Sequence, residues 1–317
     1  LSKKLNMSLK NLSAIKIPKI LKKKFNNKKF YNLYTKFEKE FIPNDKFIVA
    51  VSGGPDSLAL ALLSKIYSIK NNIKSDYFII DHKLRKDSSL EAKKVKNILD
   101  KVNIKANILK WNGKKPLKNI QSEARKKRYD LLFKKCKELK INNIVLGHHF
   151  DDLIENFFIR MTRGSGLKGL VSFEKKNEIQ KINLLRPLLS FKKKDLIFIS
   201  NYVLNFYVKD PSNKDLKYTR IRIRELINKL EKNGFDKNKF NLTINNLKRS
   251  NDALLYYVES NKKINSFFNK KKKTLIVNEE FFNQPYEVSF RSLSDSIKLI
   301  GRKYYSARGK KIDFILK

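Results

Sequence analysis

Between Phe47 and Lys70 the chain passes from an unbroken run of β-forming residues, FIVAV (47–51), into a helix-length apolar stretch by way of SGGPDS (52–57). A strand that turns into a helix through two glycines and a proline is half of a βαβ unit, and this restricts the fold at once. The same rhythm repeats downstream. DYFIID (76–81) precedes a helical pattern at 88–102, ANILKW (106–111) one at 119–140, and NNIVLG (142–147) one at 151–162. Short strands alternating with longer helices predict an α/β, Rossmann-like domain: a mainly parallel sheet with helices on both faces, as right-handed crossovers require.

After Gly169 the rhythm loosens. LLRPLL (184–189) is interrupted by a proline, 192–205 reads as helix, KDPSN (209–213) as a turn, and 219–230 as helix again. EKNGFDKNKFN (231–241) reads as a linker. The organisation expected is a basic N-terminal extension over 1–45, an α/β domain over 46–230 and a smaller, basic, mostly helical domain over 242–317.

Charge constrains the partner. Lys and Arg number 72 against 30 Asp and Glu, for a net charge of +42. A codon bias toward A and T would enrich Lys, Asn and Ile together, but it does not explain why acids failed to keep pace. A surplus this large repels itself unless it meets a polyanion, and nucleic acid is the polyanion expected. No apolar run approaches the roughly 18 residues of a membrane span. The lone cysteine, Cys136, excludes an intrachain disulfide and a cysteine-built zinc cage or iron–sulfur cluster, and fits a reducing cytoplasm. The lysine-rich first forty residues lack the continuous apolar core of a secretory signal. Leu1 suggests a non-standard start codon or a trimmed end, with Met7 as another start.

Three polar clusters follow three expected strands: SGGPDS after the first, Asp81-His82 after the second, and GHHFDD (147–152) after the fourth. In a parallel sheet these points lie along the carboxyl edge, where open α/β sheets bind ligands. Gly53 and Gly54 permit close backbone approach, and the amides at the following helix start suit phosphate oxygens. A Walker loop would carry lysine where Ser57 and Leu58 stand, so this loop is expected to hold pyrophosphate by amides and hydroxyls. Asp56 otherwise reads as a simple helix cap.

Asp151 and Asp152 open a helix, with Glu155 one turn on. They read either as first-turn caps or as acids that hold Mg²⁺, a base or an amine. His148 and His149 have no evident third partner for zinc. Arg125 and Arg128 share one helix face, as do Arg220 and Arg224, and each pair is a candidate for phosphate; Arg222 alternates with the latter. Cys136 reads as core.

The ordered set SGGPDS, DHKLR (81–85) with Ser88 and Glu91-Ala92, EARKKRY (123–129), GHHFDDLIEN (147–156), RGSGLKGL (163–170), RPLL (186–189), DPSN (210–213) and TRIRIR (219–224) resembles the tRNA(Ile)-lysidine synthases, a branch of the PP-loop or N-type ATP pyrophosphatases. The resemblance is strong over about 46–225 and loose beyond. Lys83 stands where the family usually has glycine, and Asn156 where it has threonine. The resemblance implies ATP and Mg²⁺, a tRNA(Ile) bearing a CAU anticodon, and free L-lysine as the incoming amine; a homodimer is one assembly it leaves open. It implies that Ser52, Gly53, Gly54, Pro55, Asp56, Ser57, Asp81, His82, Gly147 and His148 hold ATP. Asp56, Asp151, Asp152, Arg125 and Arg128 would carry catalysis, with Mg²⁺ on Asp56 and Asp152. Arg163, Arg220, Arg222, Arg224 and Arg302 would meet RNA. The alternatives are another PP-loop enzyme such as a tRNA thiolase, against which a lone cysteine argues, and a non-catalytic basic RNA-binding protein.

Overall fold

A computed structural model describes residues 18–43, 45–83, 87–111, 113, 120–208, 215–269, 272, 274–301, 307 and 309–317. The chain forms two compact units: the first comprises residues up to Arg163 with Phe173–Leu230, the second Gly164–Ser172 with Glu231–Lys317.

Unit one is built on a six-stranded sheet of order β3-β2-β1-β4-β6-β5. Its strands are β1 (Phe47–Val51), β2 (Ser75–Asp81), β3 (Ala106–Lys110), β4 (Asn143–Val145), β5 (Lys176–Ile179) and β6 (Ile182–Leu185). All neighbours are parallel except β5, which pairs antiparallel with β6 at the edge. Strand β1 is buried throughout, and alternate residues serve opposite faces. Phe47, Val49 and Val51 face one core, while Ile48 and Ala50 face the other with Leu132 and Cys136.

Two early helices, α1 (Lys19–Lys24) and α2 (Lys28–Glu40), lie within the stretch read from sequence as a basic extension. Lys19, Lys23, Lys28 and Lys29 are exposed, but Leu21, Phe25, Phe30, Tyr34, Phe37 and Phe41 are buried in the larger core. The same core takes α3 (Pro55–Lys70), α4 (Ser88–Asp100) and α8 (Lys193–Leu204). Helix α5 (Ile120–Leu139) covers the opposite face, and α6 (Phe150–Met161) and α9 (Thr219–Lys232) complete the elements that shape the carboxyl edge.

The β5–β6 hairpin is absent from the sequence reading. Its turn residues, Gln180 and Lys181, both have positive φ, 52° and 64°. Such a turn normally announces itself by Asn-Gly or Gly-Gly, and here neither is present.

Unit two holds α7 (Leu167–Leu170), α10 (Lys237–Asn265), a β7–β8 hairpin (Ser266–Asn269 and Thr274–Val277), α11 (Tyr286–Ile300) and α12 (Gly309–Leu316). The stretch 231–241, expected as a linker, begins where the two units divide and holds the end of α9 and the first turn of α10. Gly234 takes φ 90°, and the Asp236 carboxylate caps α10 by accepting from the Asn238 and Lys239 amides at 2.6 and 3.2 Å.

Candidate active site

The β1–α3 loop is shaped from within. Gly53 adopts φ 84°, and a Cβ there would lie 2.7 Å from Val95 Cγ2 and 3.1 Å from Val208 Cγ2, so torsion and space both demand glycine. Ser57 Oγ donates to Gly54 O at 3.0 Å and accepts from Ser52 N at 3.0 Å, with Ser52 Oγ 3.1 Å away. The hydroxyl expected to hold ATP thus closes the loop itself. Gly54 and Pro55 set the helix start, and Asp56 stands in its first turn. Gly147 passes so close above that a Cβ would sit 3.2 Å from Ser57 N.

Asp56 is engaged by a residue that sequence reasoning missed. Lys193, the first residue of α8, places Nζ 2.7 and 2.6 Å from the two carboxylate oxygens. Nothing local in the sequence signals this pairing, since 137 residues separate the partners.

At the end of β2, Asp81 is 2% exposed and accepts from Ser88 Oγ (2.8 Å), Ser89 Oγ (2.5 Å) and Lys83 N (3.0 Å). Burial would raise its pKa, but these hydrogen bonds and the Lys83 charge outweigh it and lower the carboxyl below its usual range. Its role here is to anchor the β2–α4 turn. Lys83 carries φ 49°, which explains why glycine suits this position in the resembling family.

His82 and Arg128 face each other, His82 Nε2 lying 3.5 Å from Arg128 Nη2. Desolvation, then the Arg128 charge, lower the His82 pKa to about 4. Burial also lowers Arg128, as does the neighbouring charge of Arg125. Arg125 is exposed and lies over the Tyr129 ring. Arg186, 5% exposed, donates to Glu174 O at 2.8 Å and covers the Phe173 ring at 4.8 Å; it stands in the RPLL motif, where sequence assigned it no role, and it too is lowered by burial and by Arg125. His148 meets Phe173 edge-on at 5.2 Å, and desolvation brings its pKa down to about 3. Three arginines and two neutral imidazoles therefore gather here, with Nδ1 of both His82 and His148 buried without a hydrogen-bond partner. A cationic pocket with orphaned nitrogens suits an anion.

Helix α6 is opened by His149, whose Nδ1 accepts from Asp151 N at 3.3 Å while its own N–H donates to Asp152 Oδ2 at 2.9 Å. Its Nε2 stands between Asp56 Oδ1 at 3.7 Å and Asp152 Oδ2 at 3.6 Å, so the ends of the first and fourth strands lie side by side. Asp152 Oδ1 accepts from Arg220 Nη2 at 2.6 Å. Glu155, 1% exposed, accepts from Arg220 Nε at 2.6 Å and Arg224 Nε at 2.7 Å. Burial alone would raise Asp152, but Arg220, then His149 and His148, hold it well below the usual carboxylate range. Arg220 and Arg224 are raised in turn, the carboxylates outweighing burial.

These pairings revise several expectations. Arg220 and Arg224 share a face as expected, and that face meets Asp152 and Glu155 while 36% and 39% of the two side chains stays exposed. Arg222 points away and donates to Leu216 O and Lys217 O, closing the start of its own helix. Glu155, read from sequence with Asp151 and Asp152 as one of the acids after the fourth strand, is here the partner of both arginines. Arg163 is exposed, and Arg302 lies outside the described residues, as do Leu84, Arg85 and the DPSN segment. Mg²⁺ on Asp56 and Asp152 does not fit this donor set. Lys193 occupies both oxygens of Asp56, while Arg220 and the His149 amide occupy Asp152. Among the described residues no group of three or more His, Cys, Asp or Glu side chains could hold a metal.

Comparison with known proteins places this geometry. A family model described as a PP-loop domain matches residues 22–231. A protein of Orientia tsutsugamushi (strain Boryong) named tRNA(Ile)-lysidine synthase is 41% identical over 187 residues, covering 59% of this chain and 42% of that protein. One of the same name from Wolbachia sp. subsp. Brugia malayi (strain TRS) is 34% identical over 269 residues, covering 84% of this chain and 62% of that protein. The chain thus spans about half the length of the curated relatives it matches. Among solved structures, a U34-tRNA thiolase from Methanococcus maripaludis superposes with a TM-score of 0.58 at 17% identity, over 72% of this chain and 79% of that one, a likeness of fold.

Proposed function

The chain belongs to the PP-loop domain family, a family of ATP-using enzymes, and from that premise we propose that it ligates L-lysine to C2 of a wobble cytidine in a tRNA(Ile) with a CAU anticodon. The observation that carries the reading is the proximity of the loop's Asp56 to the Asp152–Glu155–Arg220–Arg224 cluster across His149, which puts a phosphate loop and a buried carboxylate pair at one sheet edge. The named relatives supply the substrate.

In this reading ATP lies with its β,γ-pyrophosphate on the β1–α3 loop. The cytidine O2 attacks the α-phosphorus, an O–P bond forms, and the bond to the β-phosphate oxygen breaks with pyrophosphate leaving. The lysine ε-amine then attacks C2, the C2–O bond breaks, AMP departs with that oxygen, and the amine loses its protons to solvent-linked groups. Arg128, Arg125 and Arg186 supply fixed positive charge where phosphate charge develops. Asp152, held far below neutrality, is a poor proton acceptor at neutral pH. Together with Glu155 its part is to hold Arg220 and Arg224 at the site. Asp151, with a quarter of its side chain exposed, stands at the same helix start.

RNA contact falls to cations outside the Asp152–Glu155–Arg220–Arg224 cluster. In unit two Arg249, Tyr256, Tyr257 and Phe267 are exposed. Arg291 is 3% exposed and tied to Glu287 and Asn251, so it is a core residue and no part of that surface. The thiolase alternative fits poorly: burial pushes the Cys136 thiol up to about 12.

The test is incubation with tRNA, ATP and lysine, followed by mass analysis of the wobble nucleoside and of the nucleotide products. Lysine incorporation with AMP and pyrophosphate is expected. ADP and phosphate as main products, or equal modification of a tRNA with U at the wobble position, would refute it.

A further inference from the structure

The phosphate loop lacks the lysine that closes a Walker loop, yet a lysine does reach it. Lys193 arrives from α8 and lies against Asp56 in the first turn of α3, with Nζ 2.7 and 2.6 Å from its oxygens. The position is fixed by the core. Ser200, seven residues on and therefore on the same helix face, is fully buried and donates its hydroxyl to Pro55 O at 2.7 Å. Leu196, Ile199 and Val203 pack in the same core as Leu58 and Leu62. Helix α8 is therefore docked onto the start of α3 in one register, and Lys193 is the residue that this register sets over the loop.

Two features make a purely structural ion pair a poor account of this lysine. A cation on the first residue of a helix opposes that helix's own dipole, and it stands beside the positive start of α3 as well. One carboxylate offsets that concentration of positive charge. The ammonium has three N–H donors, of which Asp56 uses two, and 41% of the side chain remains exposed. An anion at the loop mouth would take the third donor and relieve the dipole conflict.

We propose that Lys193 is the loop's missing cation: it is held in place by Asp56 and donates to the phosphate oxygens of a nucleotide bound on the β1–α3 loop. The inference rests on the ATP-using reading of this site and adds to it a residue and a role.

The experiment uses the full chain with EDTA present, and measures by titration calorimetry the binding of ATP, inorganic pyrophosphate and adenosine to wild type, Lys193→Met, Lys193→Arg and the double variant Asp56→Asn/Lys193→Met. Thermal unfolding checks that each variant folds. Pyrophosphate affinity is expected to fall roughly tenfold or more in Lys193→Met, as loss of one charge-assisted hydrogen bond implies. Adenosine binding should stay the same, and Lys193→Arg should recover part of the loss. Equal pyrophosphate affinity in Lys193→Met and wild type overturns the inference while leaving ATP use intact. So does a wild type that binds ATP but not metal-free pyrophosphate. Recovery of pyrophosphate binding in the double variant would make Lys193 a mere counter-ion for Asp56 and overturns it too. A wild type that binds no ATP even in a parallel titration with Mg²⁺ in place of EDTA refutes the functional reading itself.

Discussion

Glu155→Gln isolates what the charge zipper between α6 and α9 contributes. Glu155 is 1% exposed and accepts from two guanidinium Nε atoms at 2.6 and 2.7 Å. Glutamine keeps the shape but retains a single acceptor oxygen, so one arginine loses its hydrogen bond and meets an amide N–H. Hydrogen bonds to charged groups contribute about 1.5–3 kcal/mol each. Full burial of both ions would bring the cost of breaking the pair to about 3–5 kcal/mol. The two arginine side chains are 36% and 39% exposed, however, so water screens and partly rescues them. Arg220 also keeps its contact to Asp152. The expected loss is about 2–3 kcal/mol. The chain's sole tryptophan, Trp111, is buried in unit one, so its fluorescence in a urea titration reports this unit. A loss below ~0.5 kcal/mol would refute the zipper as a stabilising element, as would an equal loss for Glu155→Gln in an Arg220→Ala/Arg224→Ala background.

Gly53→Ala should abolish nucleotide binding and cost roughly 2 kcal/mol or more, because φ 84° and a Cβ 2.7 Å from Val95 combine strain with overlap; retained ATP affinity in calorimetry would contradict this. Stability of unit one should fall as pH drops from 6.5 toward 4. His82 and His148 titrate near 4 and 3 when folded but near 6.5 when unfolded, so the unfolded chain binds more protons in that window. The slope is up to about 1.4 kcal/mol per pH unit per histidine. Below the usual carboxylate range the contributions of Asp81 and Asp152 are lost in addition. Trp111-detected urea midpoints that stay flat between pH 7 and 4.5 would count against the buried neutral imidazoles.

The parallel part of the fold was legible because each strand is short, apolar and followed by a helical period. Boundaries for β1, β2, β3 and the helices after them fell within a residue or two of the reading. What failed was local chemistry of an unusual kind. Gln180 and Lys181 make a left-handed hairpin turn without glycine, so β5 and β6 were invisible. The 231–241 stretch contained a helix stop in Gly234 and a cap in Asp236, yet its polarity resembled a linker. Helices α1 and α2 were hidden by their lysines. The buried aromatics Phe30, Tyr34, Phe37 and Phe41 recur at three- and four-residue spacing, a signal present but outweighed by charge.

The site divides in a similar way, and the reason is physical. Residues that act within one loop or one helix turn carry their evidence in spacing: the glycines of SGGPDS, Asp151 with Asp152, Arg220 with Arg224. Residues that act by meeting a distant element carry none. Lys193 is one lysine among many, and only the docking of α8 on α3 selects it. Arg220 and Arg224 were recognised as a pair of cations, but the overall charge of +42 pointed them toward a polyanion. Net charge says nothing about local complementarity. With acids scarce in this chain, the carboxylates of Asp56, Asp152 and Glu155 are each met by lysine or arginine at hydrogen-bonding distance, and all three lie at one sheet edge. In a chain with so many unpaired cations available, the rare anions mark the site more sharply than the abundant lysines do, and it is the partners of those anions, not the basic residues as a class, that the fold sets apart for chemistry.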